Sequence, residues 1–227
     1  MASPFYVAPE QMMKDRAEYA RKGIARGRAL VAVEYADGVV FVGENPSHSL
    51  HKTSEIYDRI GFAAVGKYNE FESMRVAGIR LADVKGYQYD RKDVTAKSLA
   101  NAYSQALGAI FMGDSKPYEV ELLIAQVNGP EAPLELYHIL YDGSIVDEHR
   151  LVAIGGEADR LTADLEEGYA DGMDLGAAVR LAAGALSRAT EREIPPGDLE
   201  VSGLDRTRPR RKFFRLDGDP VTELLAG

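Results

Sequence analysis

Residues 27–45, GRALVAVEYADGVVFVGEN, have the pattern of a β-hairpin of a kind that often begins at a catalytic N-terminal residue. Two β-rich runs flank Asp37 and Gly38, the strongest short signal for a tight hairpin turn. A nucleophile in such a place needs its own free α-amine beside the attacking group. Here more than two dozen residues precede the hairpin, and no nucleophile stands at its start. The sequence therefore keeps the hairpin without the chemistry that often accompanies it.

No other set of residues has the spacing of a catalytic or metal site. The four histidines form no metal-spaced pair with carboxylates, and His48 and His51 lie in a polar loop where solvated side chains are expected. The glycines make no phosphate-binding loop, and no serine lies in a G-x-S-x-G turn. We therefore predict no catalytic residue, no metal and no cofactor in this chain.

The composition is that of an ordinary globular protein. Of the 227 residues, 45% are hydrophobic and 28% are charged, and the net charge is −9. An acidic chain lacks the electrostatic footprint of nucleic-acid binding, and no apolar run approaches the roughly 20 residues that a membrane span needs. Cysteine is absent, which fits a reducing compartment, and the N-terminus lacks the order of a secretory signal. We predict a cytoplasmic protein with no nucleic-acid or membrane partner.

One segment near the C-terminus departs from this acidic balance. Residues 206–215, RTRPRRKFFR, combine basic side chains with Phe213 and Phe214, as some nucleic-acid-binding segments do. The period-two order of KFFRL and the acidic chain as a whole favour an edge strand or a half-buried strand instead.

The order of elements predicts an α+β fold. A helix pattern begins at Pro9, which suits a first helical turn, and ends with Gly23 as a stop signal. Blocks of strands then alternate with pairs of helices, and Asp142-Gly143 marks a second hairpin. Because hairpins imply antiparallel sheets and helices must cover their outer faces, we predict a four-layer α-β-β-α sandwich of two antiparallel sheets, with an extra N-terminal helix.

We expect one domain over residues 1–227. It would comprise a short segment at 1–8, the helix at 9–23 and the sandwich at 28–227. The segment MASPFYVA has no helix-forming pattern, so we expect it to be mobile unless neighbouring groups hold it.

Several separated blocks resemble those of a known family. The hairpin, PYEVELLIAQV and LYDGS resemble a proteasome core-particle subunit, whose fold is that of the N-terminal-nucleophile hydrolases. The N-terminal helix, ENPSHSLHKTSEIYDRIGFAAVGKYNEF and RPRRKFFR resemble the α subunits of the actinobacterial 20S proteasome. The resemblance covers nearly the whole chain, and its blocks follow one another in the family's order.

The resemblance implies that this chain is not catalytic by itself. In active β subunits of the family a threonine begins the first strand. When the hairpin of this chain is aligned with theirs, Arg28 stands at the position of that threonine and Glu44 near the position of the supporting aspartate. Arginine has no nucleophilic atom, so we expect Glu44 to be a solvated carboxylate at a strand end. The chain would then belong to a threonine-type endopeptidase complex whose active sites lie on β subunits.

The resemblance also implies a ring and a gate. Family α subunits form homo-heptameric rings that cap the β rings, and their N-terminal segments block the axial pore through which protein substrates pass. The corresponding gate residues in this chain are Phe5, Tyr6, Val7, Ala8 and Pro9. The Tyr-Asp-Arg element near the start of archaeal and eukaryotic α subunits is missing, so their closed-gate contacts do not carry over.

A docking pocket is the third feature that the resemblance implies. In the family, C-terminal tails of a ring ATPase or another activator enter pockets between α subunits, where a lysine receives the terminal carboxylate. Lys52 matches that lysine, and Gly66 matches the glycine of the pocket floor. Protein tagged by the small pupylation modifier would be the physiological substrate.

Two other classes of function remain open at this stage. One is an N-terminal-nucleophile hydrolase with unrecognised activation, which would require processing that leaves Thr, Ser or Cys first on a strand. The other is a stand-alone binding module built on the same sandwich. A measurement of native mass separates these two hypotheses and the ring subunit from one another, because rings and monomers differ several-fold in size.

Overall fold

The computed structural model describes residues 8–113, 116–129 and 132–227. Its α-helices are, in chain order, α1 Pro9–Ala25, α2 Tyr68–Gln88, α3 Ala96–Met112, α4 Ala158–Gly168, α5 Leu175–Ala189 and α6 Asp219–Ala226. Short 3-10 helices at Arg91–Asp93 and Pro196–Asp198 precede α3 and the last two strands. The N-terminal helix was predicted to end at Gly23 and in fact runs two residues further, to Ala25.

The strands form two antiparallel sheets of five. They are β1 Leu30–Tyr35, β2 Gly38–Glu44, β3 Thr53–Tyr57, β4 Ile60–Gly66, β5 Val120–Gln126, β6 Glu135–Ile139, β7 Ile145–Asp147, β8 Leu151–Ile154, β9 Leu199–Asp205 and β10 Phe213–Leu216. Sheet 1 has the order β10-β9-β2-β1-β8, and sheet 2 has the order β3-β4-β5-β6-β7. The predicted pair of antiparallel sheets is confirmed.

Alternation along the strands assigns each side chain to one of three apolar layers. In β1, Val31 and Val33 pack against α4 and α5, whereas Leu30 and Ala32 face the space between the two sheets. Helices α2 and α3 cover the outer face of sheet 2 through a third cluster that includes Phe62. Because side chains on a strand alternate with period two, each sheet buries both of its faces. The predicted four-layer α-β-β-α sandwich is confirmed.

Helix α1 belongs to none of the four layers. Its Ala20 and Ile24 are buried among side chains of the layer between the sheets, and the helix lies against β4 and β5. Pro9 occupies the first turn, where a missing backbone N–H removes no helical hydrogen bond. The helix therefore covers one end of the inner core.

The first hairpin turns one residue earlier than predicted. Tyr35 pairs with Gly38, so Ala36 and Asp37 form the turn and Gly38 is the first residue of β2. A Cβ atom on Gly38 would lie 1.8 Å from the carbonyl oxygen of Leu204 on the neighbouring β9. The glycine is therefore required by strand packing, because any side chain would push β9 away from β2. The pattern was typical of a hairpin, but the reason for glycine lies in the sheet.

No helix in the described part of the chain is long and apolar enough to cross a membrane.

A partly buried charged cluster lies at the β6 strand. The ring nitrogens of His138 lie 3.6 Å from Glu121 Oε2 on β5 and 3.5 Å from Glu148 Oε1 after β7. Glu121 also accepts a hydrogen bond of 3.3 Å from the backbone N–H of Gly155, which follows β8 of the opposite sheet. Burial alone would lower the pKa of His138, but the two carboxylates outweigh it and raise the pKa to about 9. The cluster thus links the two sheets through Glu121, which lies beside a histidine that is charged at neutral pH.

The pH dependence of stability follows from this cluster. A histidine whose pKa is raised from 6.5 to about 9 on folding stabilises the fold fully below pH 6.5, and this stabilisation is lost as the pH rises through about 9. We expect His138→Gln to flatten the decrease in melting temperature over that pH range, and to destabilise most at its acidic end. Thermal unfolding of both proteins at a series of pH values measures this.

The exposed His48 offers a matched control. His48→Gln removes the same kind of group from the surface and should keep the wild-type pH profile. If His138→Gln also kept that profile, the charged state of His138 would contribute nothing to stability.

Candidate functional site

The link between α1 and β1 contains the residue that aligns with the catalytic threonine. Arg28 lies in a continuous chain, and its Nε lies 3.0 Å from Oε1 of Glu44 at the end of β2. The side chain of Glu44 is only 4% exposed, and it forms a second, close ion pair with Arg192. The expectation of a solvated Glu44 is therefore wrong. A carboxylate at a buried strand end needs cationic partners, and two arginines supply them.

This arrangement has no nucleophile to activate. Arg28 presents a guanidinium, and its amide nitrogen is a peptide nitrogen, so neither an attacking atom nor a free α-amine is available at this position. The carboxylate of Glu44 is occupied by two guanidinium groups instead of supporting a proton transfer. In this chain the position serves structure and charge balance.

Lys52 reaches the same link from the other side. Its Nζ donates a hydrogen bond of 2.7 Å to the carbonyl oxygen of Arg28. Its own carbonyl oxygen accepts a hydrogen bond of 2.9 Å from the N–H of Ala64 on β4, so the backbone beside it is part of sheet 2. The side chain is partly buried, and one carbonyl leaves two of its three N–H donors for other acceptors.

The electrostatic surroundings of Lys52 are mixed. Burial is the largest influence and lowers its pKa to about 8; Arg28 acts in the same direction, while Glu200 and Glu44 oppose it. The ammonium is therefore still mainly charged at neutral pH, yet poorly hydrated. A partly desolvated cation of this kind suits the binding of a single carboxylate.

Gly66 lies beside this lysine, at the end of β4. Its φ angle is +106°, and a Cβ atom there would lie 1.9 Å from the carbonyl oxygen of Glu119. Only glycine satisfies both constraints. The backbone nitrogen of Gly66 lies 3.3 Å from the position that a Cβ atom on Gly27 would occupy. The two predicted docking residues are thus brought to the same four-residue link between α1 and β1, Lys52 at Arg28 and Gly66 at Gly27.

Comparison with known proteins identifies the family of this chain. The sequence model of the proteasome subunit matches residues 24–202, which is well over half of the chain. The chain belongs to the proteasome subunit family.

The similar relatives of this proteasome-family chain are actinobacterial proteins named proteasome subunit alpha. It is 59% identical over 235 residues to the protein of Kineococcus radiotolerans, covering 100% of this chain and 99% of that relative. It is 59% identical over 230 residues to the Streptomyces coelicolor protein, covering 99% and 91%. Identity to the Acidothermus cellulolyticus protein is 57% over 230 residues, covering 99% and 98%. The resemblance read from the sequence is confirmed, and the sandwich is that of the family.

Three of the five predicted gate residues, Phe5, Tyr6 and Val7, lie outside the described residues. The other two are exposed. Ala8 has an extended backbone and caps α1, its carbonyl oxygen accepting the first helical hydrogen bond from the N–H of Met12 at 3.0 Å. Pro9 is the first residue of the helix. The structure therefore defines the point from which the N-terminal segment leaves the helix.

Polar contacts hold α1 in one orientation. Arg16 donates from Nε to the carbonyl oxygen of Phe111 at 2.7 Å and from Nη2 to that of Ile110 at 3.2 Å. The Nζ of Lys116 lies 5.8 Å from the ring centre of Tyr19. These contacts join the exposed face of α1 to the end of α3 and to the segment before β5, and the sequence pattern did not predict them.

The basic segment near the C-terminus forms an edge strand, as predicted. Its Phe213 and Phe214 begin β10, the edge of sheet 1, and Phe214 is buried. The guanidinium of Arg208 lies 5.3 Å from the ring centre of Phe214, and Arg211 pairs with Glu55. One positive charge of the segment is therefore paired within the fold, and one guanidinium lies over an aromatic ring.

Sequence reasoning missed the residue that holds the backbone of Lys52 in place. Glu200 on β9 is 6% exposed, and its carboxylate accepts from the N–H groups of Lys52 and Thr53, both at 3.0 Å. It also receives Asn45 Nδ2 at 2.6 Å and Arg215 Nη1 at 2.8 Å. An acidic residue between Leu199 and Val201 in the predicted strand LEVSGLD was the signal for such a buried group. Within the described residues, no group of three His, Asp or Glu side chains could hold a metal ion.

Proposed function

We propose that this chain is the non-catalytic α subunit of a 20S proteasome core particle. It would form the homo-heptameric outer ring, control the passage of protein substrates into the particle and bind the C-terminal tails of a ring ATPase or another activator. Catalysis would lie on partner β subunits of the threonine type, in the cytoplasm. Proteins tagged by the small pupylation modifier would be the substrates.

The observation that carries this proposal is the state of the nucleophile position. Arg28 lies within a continuous chain, ion-paired to Glu44, and α1 precedes it. Removal of α1 by processing would leave an arginine as the N-terminal residue. It would also remove Ala20 and Ile24 and so uncover the apolar side chains that pack against them in the inner core. The alternative of a self-activating hydrolase therefore has no observation in its favour.

The docking role rests on Lys52 and Gly66. The partly buried ammonium of Lys52 retains donors beyond the one given to the Arg28 carbonyl oxygen. A terminal carboxylate placed there would form a charge-assisted hydrogen bond, the stronger kind of hydrogen bond. The backbone turn at Gly66 is fixed by the approach of Glu119, so the floor beside the lysine has a defined shape.

The gating role rests on α1 as a rigid base. Ala8 and Pro9 are exposed at its start, and contacts of Arg16 and Ile24 fix the helix on the sandwich. The residues before Pro9 span at most roughly 26 Å when fully extended, which is enough to reach toward a pore axis. Several copies of Phe5 and Tyr6 meeting there would bury aromatic surface that is unfavourable in water.

The first prediction concerns catalysis. The purified chain alone should not hydrolyse peptides, because no nucleophile stands at Arg28 and its amine is part of a peptide bond. The measurement is the release of a fluorogenic group from short peptides, with the assembled α–β particle as positive control. Turnover by the chain without any β subunit, blocked by a threonine-directed inhibitor, would contradict the assignment.

A second prediction concerns docking. Lys52→Ala removes one charge-assisted contact from every copy in the ring, so ATPase-dependent degradation of a folded substrate should fall several-fold. Assembly and the hydrolysis of small peptides by the β subunits should persist, as measured by native mass and fluorogenic cleavage.

Lys97 is a matched control, since it is an exposed lysine on α3, away from the Arg28 link. Lys97→Ala should leave ATPase-dependent degradation unchanged. Wild-type degradation by Lys52→Ala particles would show that another residue receives the tail.

A third prediction concerns the gate. Deleting residues 2–8 places Met1 directly before Pro9 in place of the capping Ala8 and keeps the contacts of α1 with the sandwich, so the ring should assemble. Peptides should then reach the β subunits faster. The initial rate for a short fluorogenic peptide should rise, and the preferred cleavage sites should not change, because they belong to the β subunits. Full-length and truncated particles of matched mass are compared, and equal rates would show that the segment does not limit access.

A further inference from the structure

We propose that Glu200 is the positioning residue of the docking site, because its buried carboxylate fixes the backbone from which Lys52 projects. This inference rests on the proposed docking role of Lys52. Glu200 lies on β9, on the side that faces the layer between the two sheets, and is 6% exposed. It would act on a bound tail only through the lysine.

The contacts of Glu200 bracket Lys52 along the chain. Oε2 accepts from the N–H of Lys52 and Oε1 accepts from the N–H of Thr53, both at 3.0 Å. The hydroxyl of Thr53 also donates to Oε1. Two successive backbone amides on one carboxylate allow the backbone at Lys52 little freedom to rotate. The direction of the lysine side chain is set by that backbone.

A second set of groups fixes the carboxylate. Asn45 Nδ2 donates to Glu200 Oε2 at 2.6 Å and also to the carbonyl oxygen of Leu50 at 2.7 Å. Arg215 donates from Nη1 to Oε1 at 2.8 Å and from Nη2 to the carbonyl oxygen of Thr53 at 2.8 Å. The loop before β3 is thus held on both sides of Lys52 by groups that also hold Glu200.

The charge of Glu200 is well compensated where it lies. Burial alone would raise its pKa, but the hydrogen bonds from Lys52, Thr53, Arg215 and Asn45 outweigh burial and hold the pKa below its ordinary value. The carboxylate is therefore ionised at neutral pH. A buried charge with this many donors is rigid, because any displacement would leave a donor or the charge unpaired.

The same charge also acts on the lysine directly. Glu200 and Glu44 raise the pKa of Lys52 against the larger effect of burial and the repulsion of Arg28, leaving it at about 8. His51, whose Nδ1 lies 3.7 Å from Glu200 Oε1, is the remaining titratable neighbour. Removing the charge of Glu200 would therefore both loosen the backbone of Lys52 and lower the pKa of its ammonium.

The test compares two forms of one peptide on assembled α–β particles. The probe is a fluorescein-labelled peptide with the sequence of the C-terminal tail of the ring ATPase, prepared as the free acid and as the C-terminal amide. The ratio of their Kd values reports the contact between the terminal carboxylate and Lys52 alone. A general loss of structure weakens both peptides and leaves the ratio unchanged.

In Glu200→Gln particles we expect the free acid to bind about tenfold more weakly while the amide changes little, so that the ratio falls toward one. The pH at which the ratio is lost should also be lower than in wild-type particles, because the charge of Glu200 raises the pKa of Lys52. Glu55→Gln is the control, since Glu55 lies on the adjacent β3 and pairs with Arg211 instead of holding Lys52. It should keep the wild-type ratio.

The other possible outcomes each overturn the positioning role, and one of them overturns the docking role as well. A wild-type ratio in Glu200→Gln particles would overturn the positioning role while leaving the docking role of Lys52 intact. A wild-type ratio in Lys52→Ala particles would overturn the docking role, and the positioning role with it. If Glu200→Gln fails to assemble, Glu200→Asp keeps the charge but shortens the side chain by one methylene, which withdraws the carboxylate from the N–H groups of Lys52 and Thr53. An unchanged ratio there would equally reject the proposal.

Discussion

The hydrogen bond from the Lys52 ammonium to the carbonyl oxygen of Arg28 joins the parts of the molecule on which the proposed function depends. On one side of it lies sheet 2, to which Lys52 is paired; on the other lies the link that connects α1 to sheet 1. An N-terminus created at this position would remove the link to α1 and the anchor on the inner core. Keeping α1 and having a catalytic N-terminal residue here are therefore mutually exclusive.

The buried carboxylates show how distant segments are held together around this link. Glu44, Glu70 and Glu200 are each less than a tenth exposed, and an unpaired charge at such a place would cost several kcal/mol. Each is compensated by cations from far along the chain, such as Arg192 for Glu44 and Lys116 for Glu70. Such pairs add little net stability compared with apolar packing, but they tolerate only one arrangement of the partners. Their position around the ends of the sheets favours a role in fixing geometry.

The sequence predicted the layers of this fold well and its polar contacts poorly. Strand alternation and helical periodicity are local patterns, so the two sheets, the helix from Pro9 and the edge strand at Phe213 could be derived from them. The prediction that Glu44 is solvated was wrong because its ion pair is formed with Arg192, which is 148 residues away along the chain. Gly38 was assigned to the turn, although its constraint comes from β9. Long-range packing is not encoded in any single segment.

The candidate site likewise contains residues that the sequence predicted and one that it did not. Lys52 and Gly66 were reached through a resemblance of sequence blocks, and the structure supplies what the blocks could not, namely the Arg28 link that brings the two residues together. Glu200 had no motif around it. Its role follows only from the packing of the loop before β3 against β9 and β10, since its donors come from three places in the chain: Asn45, Lys52 with Thr53, and Arg215.

A docking site that is repeated around a ring must have the same geometry in every copy, whereas a single site has no such requirement. In the proposed ring each pocket would contribute one lysine–carboxylate contact of only about 1–3 kcal/mol, and tight binding would come from several tails engaging together. Avidity of this kind is lost when the sites do not present the same geometry at the same time. A flexible lysine on a mobile loop would have to be ordered anew in every pocket, at a cost of rotamer and backbone freedom each time. A backbone already held by a buried carboxylate avoids that cost in every copy, which is a physical reason for a chain of this kind to keep an acidic residue inside β9.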